Sequence, residues 1–185
     1  IRKKVANEII GILKERGIKH FTYAVVANYR ADSSYNGKDI EAINLLRGNK
    51  HTALDEAETI IQMMEQGGAQ MIYHGMTESD VKAIMQYPFN MFASDAGIAM
   101  KGYGKPHPRA YGTNSRVLGR YVRTMGVLSL EEAIRRMTSL PANKFNIAKR
   151  GIIQEGYFAD IVVFDAEEVS DMATFEDSHQ YAKGF

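Results

Sequence analysis

Residues 3–16 put Val5, Ile9, Ile12 and Leu13 on one face and Lys4, Glu8, Lys14 and Glu15 elsewhere, which predicts an amphipathic helix stopped by Gly17. Residues 21–27 form a β-branched and aromatic run of strand length. A polar loop over 31–37 follows it, holding Ser34 and Tyr35. Helices are expected over 39–46 and 53–66, the second with Leu54, Ala57, Ile60, Ile61 and Met64 at helical spacing. Residues 71–74 read as a strand ending at His74. Thr77 is a helix N-cap with Glu78 and Asp80 in the first turn, Val81, Ile84 and Met85 supply the apolar face, and Pro88 ends the helix.

Residues 89–93 are mostly apolar with no polar alternation, and they run into Ser94-Asp95-Ala96-Gly97. That pattern predicts a short strand buried on both faces, with Asp95 at its end. In barrel and open-sheet enzymes strand ends carry the chemistry, whereas Ser-Asp before small residues is also ordinary turn chemistry. A long Gly- and Pro-bearing loop is expected over 98–114, with His107-Pro108-Arg109 in it. Helices are expected over 116–125 and 130–137, the second with Ser129 and Glu132 as a capping box. Residues 151–153 and 159–164 read as two strands joined by a hairpin-like turn.

Strands alternating with helices predict an α/β chain of parallel units. The economical architecture is the C-terminal part of a TIM (β/α)₈ barrel, about three of its eight strands, over residues 1–149. The closing pair, over 150–185, is expected in a separate small sheet.

Composition narrows the function. A net charge of +1 with scattered basic residues implies no nucleic-acid or anionic-membrane patch. The absence of cysteine excludes disulfides and thiolate metal ligands, and fits a cytoplasmic protein. No apolar run approaches the roughly 18 residues of a membrane span. The chain starts without Met and with a helical pattern under way, so it reads as a fragment whose partner would be the missing N-terminal half of the same protein. The ten methionines lie on helix faces and read as core filling.

From Ser94-Asp95 onward the sequence resembles the N-acyl-D-amino-acid deacylases (D-aminoacylases) of the amidohydrolase superfamily. The likeness rests on His107-Pro108-Arg109-Ala110-Tyr111-Gly112-Thr113, Arg116-Val117-Leu118-Gly119-Arg120-Tyr121, Leu130-Glu131-Glu132-Ala133 and the tail from Gly156 to Asp165. It implies a metal-dependent hydrolase that cleaves the amide of N-acyl-D-amino acids, with Zn2+ as cofactor and a final strand returning to a β-sandwich. It also implies that Asp95 is the catalytic base and a possible metal contact, with the other ligands outside this chain. At the following position the family commonly has Gly; here it is Ala96, whose methyl group would crowd a positive-φ backbone.

An α-carboxylate substrate needs a cation, and Arg109 could bind it through its fork or could simply brace the loop. His107 could position Arg109 or touch substrate. Tyr35 and Ser34 fall where the family's substrate-contacting hydroxyls lie, and His74 is a possible rim residue. His20, His51 and His179 sit in polar contexts and are expected to be solvated. The five histidines include no pair at metal-ligand spacing on one element, so the chain is expected to assemble no zinc site by itself. Two other functions fit the barrel pattern: a cyclic-amide hydrolase of the dihydroorotase or hydantoinase type, and a non-catalytic barrel relative.

Overall fold

A computed structural model describes residues 1–185, which fall into two units. Unit 1 comprises Ile1–Gly75 with Gly102–His107, and unit 2 comprises Met76–Lys101 with Pro108–Phe185.

Unit 1 opens with helix α1 (Arg2–Arg16), ended as expected by Gly17 in the left-handed conformation. Strand β1 (Ala24–Asn28) leads through a 3₁₀ turn (Ser33–Tyr35) to helices α2 (Ile40–Leu46) and α3 (Ala53–Glu65), and strand β2 (Gln70–Tyr73) closes the unit. Asp39 and Thr52 cap α2 and α3 through their side-chain oxygens. The strands pair antiparallel, not parallel, with Ala24 opposite Tyr73 and Asn28 opposite Gln70. The cause is the connection. A parallel crossover carries the chain back to the first strand's start, but here two helices intervene and the chain re-enters beside the end of β1.

The core of unit 1 gathers Leu13, Phe21, Val26, Tyr29, Ile43 and Met63. The buried face of α3 is Glu56, Ala57, Thr59 and Met63, whereas Leu54 and Met64 are exposed. Apolar periodicity found Ala57, and Ile60 packs against the core, but it passed over the buried polar residues Glu56 and Thr59.

In unit 2, helix α4 (Glu78–Gln86) is capped by Thr77 and stops where Tyr87, before Pro88, turns extended. Helix α5 (Arg109–Arg116) runs into a π-helical stretch (Val117–Thr124), followed by α6 (Leu130–Met137) and α7 (Ser139–Lys144), the last not foreseen. The expected loop over 98–114 therefore ends early. Pro108 already has helical dihedrals and its carbonyl accepts from Tyr111 and Gly112, so it starts a helix where it was read as punctuation.

None of the three predicted strands of unit 2 forms. Residues 89–93 and 159–164 have no hydrogen-bonded neighbour strand, and Phe89, Ile161, Val162 and Val163 are exposed. The 151–153 segment is irregular as well. A strand exists through its ladder, and this chain offers these runs none.

Guanidinium groups satisfy backbone carbonyls elsewhere in unit 2. Arg136, 3% exposed, donates to Met85 O at 2.6 Å and Tyr87 O at 2.8 Å, while Arg123 donates to Ala166 O and Val169 O. Gly119 lets the 169–170 backbone lie against the π-helical stretch: a Cβ there would sit 2.5 Å from Val169 O. The core of this unit gathers Met85, Val117, Leu118, Tyr121, Ala133 and Val169. No helix is long and apolar enough to cross a membrane.

Candidate functional site

Asp95 lies on an irregular exposed segment rather than at the end of a buried strand, and its side chain is 86% exposed. Its φ is +48°, a left-handed conformation that Asp tolerates better than most residues. The strain anticipated at Ala96 therefore falls one residue earlier, and Ala96 itself is not among the positive-φ residues.

Arg109, the first residue of α5, places its Nη2 2.9 Å from Asp95 Oδ2. The structure thus joins two of the expected site residues, 14 positions apart in the chain. An ion pair this exposed contributes only about 0–1 kcal/mol, so Arg109 can exchange this carboxylate for another at little cost.

Beside the pair, unit 2 has a cavity of about 610 Å³. Ser94, Arg109, Tyr111 and Asn114 give it polar groups, and Leu118, Ile134, Val162 and Phe164 give it apolar wall. That size and that mixture suit a small organic molecule.

The other expected residues lie in unit 1. Ser34 turns inward on its own loop: its N–H donates to Asp32 Oδ1 at 2.9 Å. The Ser34 hydroxyl and then its backbone N–H hold the Asp32 carboxyl below the usual carboxylate range. Tyr35 stacks on Tyr29, with centroids 5.7 Å apart, and packs on the core. His74 follows β2, exposed, with its N–H donating to Tyr23 O at 2.9 Å. His107 is half-buried at the end of the 102–107 segment, which is tied to β1 by Lys105 N–H donating to Ala27 O at 2.6 Å.

His20 and His51 are not solvated bystanders. With Glu41 and Glu56 they form a group whose four ligand-capable atoms lie within 4.8 Å of one another. His20 Nδ1 is 2.6 Å from Glu56 Oε1 and 3.7 Å from Glu41 Oε1, and His51 Nε2 meets the same Glu41 oxygen. The imidazole rings stack with centroids 4.1 Å apart. Spacing within single elements could not reveal this group, because each residue arrives from a different place: the loop after α1, α2, the turn before α3, and α3. One signal was present in the sequence, a carboxylate at position 56 directly beside the apolar positions of a helix. His179 is also engaged, its Nδ1 lying 3.1 Å from Tyr111 Oη.

The sequence profile described as the amidohydrolase family matches residues 13–184. A D-aminoacylase of Alcaligenes xylosoxydans xylosoxydans is 40% identical over 150 residues, covering 80% of this chain and 28% of that protein. An N-acyl-D-glutamate deacylase of the same organism is 45% identical over 108 residues, covering 58% of this chain and 22% of that protein. Among solved structures, N-acyl-D-glutamate deacylase from Bordetella bronchiseptica, complexed with zinc and a phosphonate inhibitor, aligns with a TM-score of 0.77 at 30% identity. That alignment covers 99% of this chain and 41% of the other. The chain thus spans under a third of the length of these curated relatives.

Proposed function

Since the chain belongs to the amidohydrolase family, we propose that it is part of a zinc-dependent hydrolase that cleaves the amide of N-acyl-D-amino acids to a D-amino acid and a carboxylate. The observation that carries this reading is the Asp95–Arg109 pair at the edge of the unit 2 cavity. Relatives named as deacylases of N-acyl-D-amino acids support it, as does a solved relative holding zinc and a mimic of the tetrahedral intermediate. In the same reading residues 1–149 belong to a (β/α)₈ barrel and 150–185 return to a β-sandwich.

Asp95 belongs to no group of three or more potential metal ligands in this chain. The residues present do not complete a zinc centre there, so the roles assigned here are those of protein groups alone. Arg109 binds the α-carboxylate of the substrate through its guanidinium fork, replacing the carboxylate of Asp95. Asp95, released, accepts a proton on Oδ2 from the attacking water and returns it to the amide nitrogen, which leaves as the amine. The apolar wall of Leu118, Ile134 and Phe164 takes the acyl or side-chain carbons. Tyr35, Ser34, His107 and His74 remain proposed contacts of the substrate or the rim, secondary to this pair.

The test is steady-state kinetics of Arg109→Lys, in the active protein that contains this chain, on an N-acetyl-D-amino acid and its carboxamide. Lysine keeps the charge and loses the fork, so KM for the acid should rise more than kcat falls, and the amide should not distinguish the two proteins. Equal losses on acid and amide would make Arg109 a structural brace and overturn its role as anchor.

A further inference from the structure

The group in unit 1 uses none of the side chains just given a chemical role. Glu56 is its anchor. Its side chain is 0% exposed, and an ionised carboxylate that deep needs partners on both oxygens. Phe21 N–H donates to Oε2 at 2.9 Å, which fixes the carboxylate and leaves Oε1 facing His20. Glu41 brings a second carboxylate oxygen to the same place, inside the 4.8 Å that encloses all four ligand atoms.

Two carboxylates with two neutral imidazoles carry a charge of −2, which one divalent cation cancels. Without an ion each carboxylate keeps one imidazole partner, His20 Nδ1 on Glu56 Oε1 at 2.6 Å and His51 Nε2 on Glu41 Oε1, and His20 Nδ1 also lies 3.7 Å from Glu41 Oε1, so the two pairs converge on one point.

The segment carrying His51 is held in place. Buried Asn44 donates to Lys50 O at 2.8 Å, and buried Thr59 donates to Asn44 Oδ1 at 3.0 Å. Asn49 donates to the same oxygen at 3.1 Å, and Thr52 caps α3 just beyond. One flank of the group is thus preorganised by buried hydrogen bonds, as metal sites require of the groups behind their ligands.

We propose that His20 Nδ1, His51 Nε2, Glu41 Oε1 and Glu56 Oε1 form a structural Zn2+ site. Two imidazoles and two carboxylates suit zinc, whereas magnesium and calcium favour all-oxygen sets. Tetrahedral zinc with bonds near 2.0–2.2 Å sets its ligand atoms roughly 3.3 Å apart. The His20–Glu56 contact would open slightly and the wider pairs would draw in. Four protein ligands close the coordination sphere and leave no position for substrate, which is the mark of a structural site. Such an ion would tie the segment after α1 to α2 and α3.

The experiment is equilibrium dialysis of the 185-residue chain, freed of metal by chelation, against Zn2+ buffered over a range of free concentrations. Co2+ absorption would report the coordination geometry. The expected result is one zinc per chain and a tetrahedral Co2+ spectrum. Glu41→Gln and His51→Ala, both changes at partly exposed positions, should weaken zinc by more than the roughly 10–100-fold lost with an outer-shell partner. His179→Ala should leave it unchanged, and thermal unfolding should move up with zinc only where the four ligands are intact. Circular dichroism of each variant separates a lost ligand from a lost fold; Glu41→Gln stands if His51→Ala does not fold. Weak, non-stoichiometric zinc in the parent chain, or equal losses in Glu41→Gln and His179→Ala, would overturn the proposal.

Discussion

Residues 24–28, Ala-Val-Val-Ala-Asn in unit 1, and residues 159–164, Ala-Asp-Ile-Val-Val-Phe in unit 2, are both short runs of strand-forming composition. The first is a strand with Val26 fully buried, while in the second Val163 is 82% exposed. Side-chain preference is similar in the two. What differs is the neighbour, since Gln70–Tyr73 lies beside the first run and no strand lies beside the second. Strand propensity describes fitness for a half-buried pleated surface, and it acts only when another strand supplies that surface. The arginine donors of unit 2 serve other carbonyls, those of Met85 and Tyr87 at the end of α4 and those of Ala166 and Val169.

That contrast is broken most severely at Arg136. Replacing it with Met keeps much of the apolar stem but removes the donors to Met85 O and Tyr87 O. Urea unfolding should show a loss of about 3 kcal/mol, the order expected when buried acceptors lose a charged donor. A loss below about 1 kcal/mol would mean that water replaces the guanidinium at the end of α4.

A smaller effect tests the same helix through pH. Hydrogen bonds from Arg135 and then Arg136 hold the Glu132 carboxyl down at about 2, against an ordinary value of 4.5. Between those values the unfolded chain binds more protons than the folded one, so stability rises with pH. The contribution is complete above about 4.5 and is lost as pH falls through about 2. Glu132→Gln should flatten that part of the acid-stability curve. An unchanged slope would remove Glu132 from the account.

The smallest change in stability is expected at Val163, although its effect on association should be visible. The exposed apolar run over 161–163 should make the isolated chain self-associate, as unpaired strand edges do. Val163→Lys should alter stability by no more than about 0.5 kcal/mol and shift sedimentation toward monomer. A parent chain that sediments as a monomer at all concentrations would contradict this.

Much of the local structure could be read from the sequence. The caps at Thr77 and Ser129, the stop at Gly17 and the strands around Val26 and Ile72 follow from rules acting over a few residues, and all form, although the first strand starts at Ala24 and not at Phe21. The antiparallel pairing was missed although both helices between the strands were expected, because the strand–helix alternation was read as parallel without counting that the connection holds two. The 89–93 run misled for the reason given above, a strand pattern without a strand beside it. Of the site residues, Asp95 and Arg109 stood out from local chemistry and family likeness, and the structure pairs them. The four-residue group around Glu56 escaped because its members are distant in sequence and converge only after α2 and α3 pack.

The proposed reaction rests on Asp95 moving the proton, and kinetics of Asp95→Asn in the active protein, with zinc content measured alongside, address that directly. Asparagine keeps the size and most of the hydrogen bonding, and it caps turns about as well as aspartate, but it does not accept a proton at neutral pH. With zinc content unchanged, kcat should fall by roughly 10²–10⁴, the usual worth of a general base. Activity within about threefold of the parent at the same zinc content would contradict the account and leave Asp95 as a turn residue paired with Arg109.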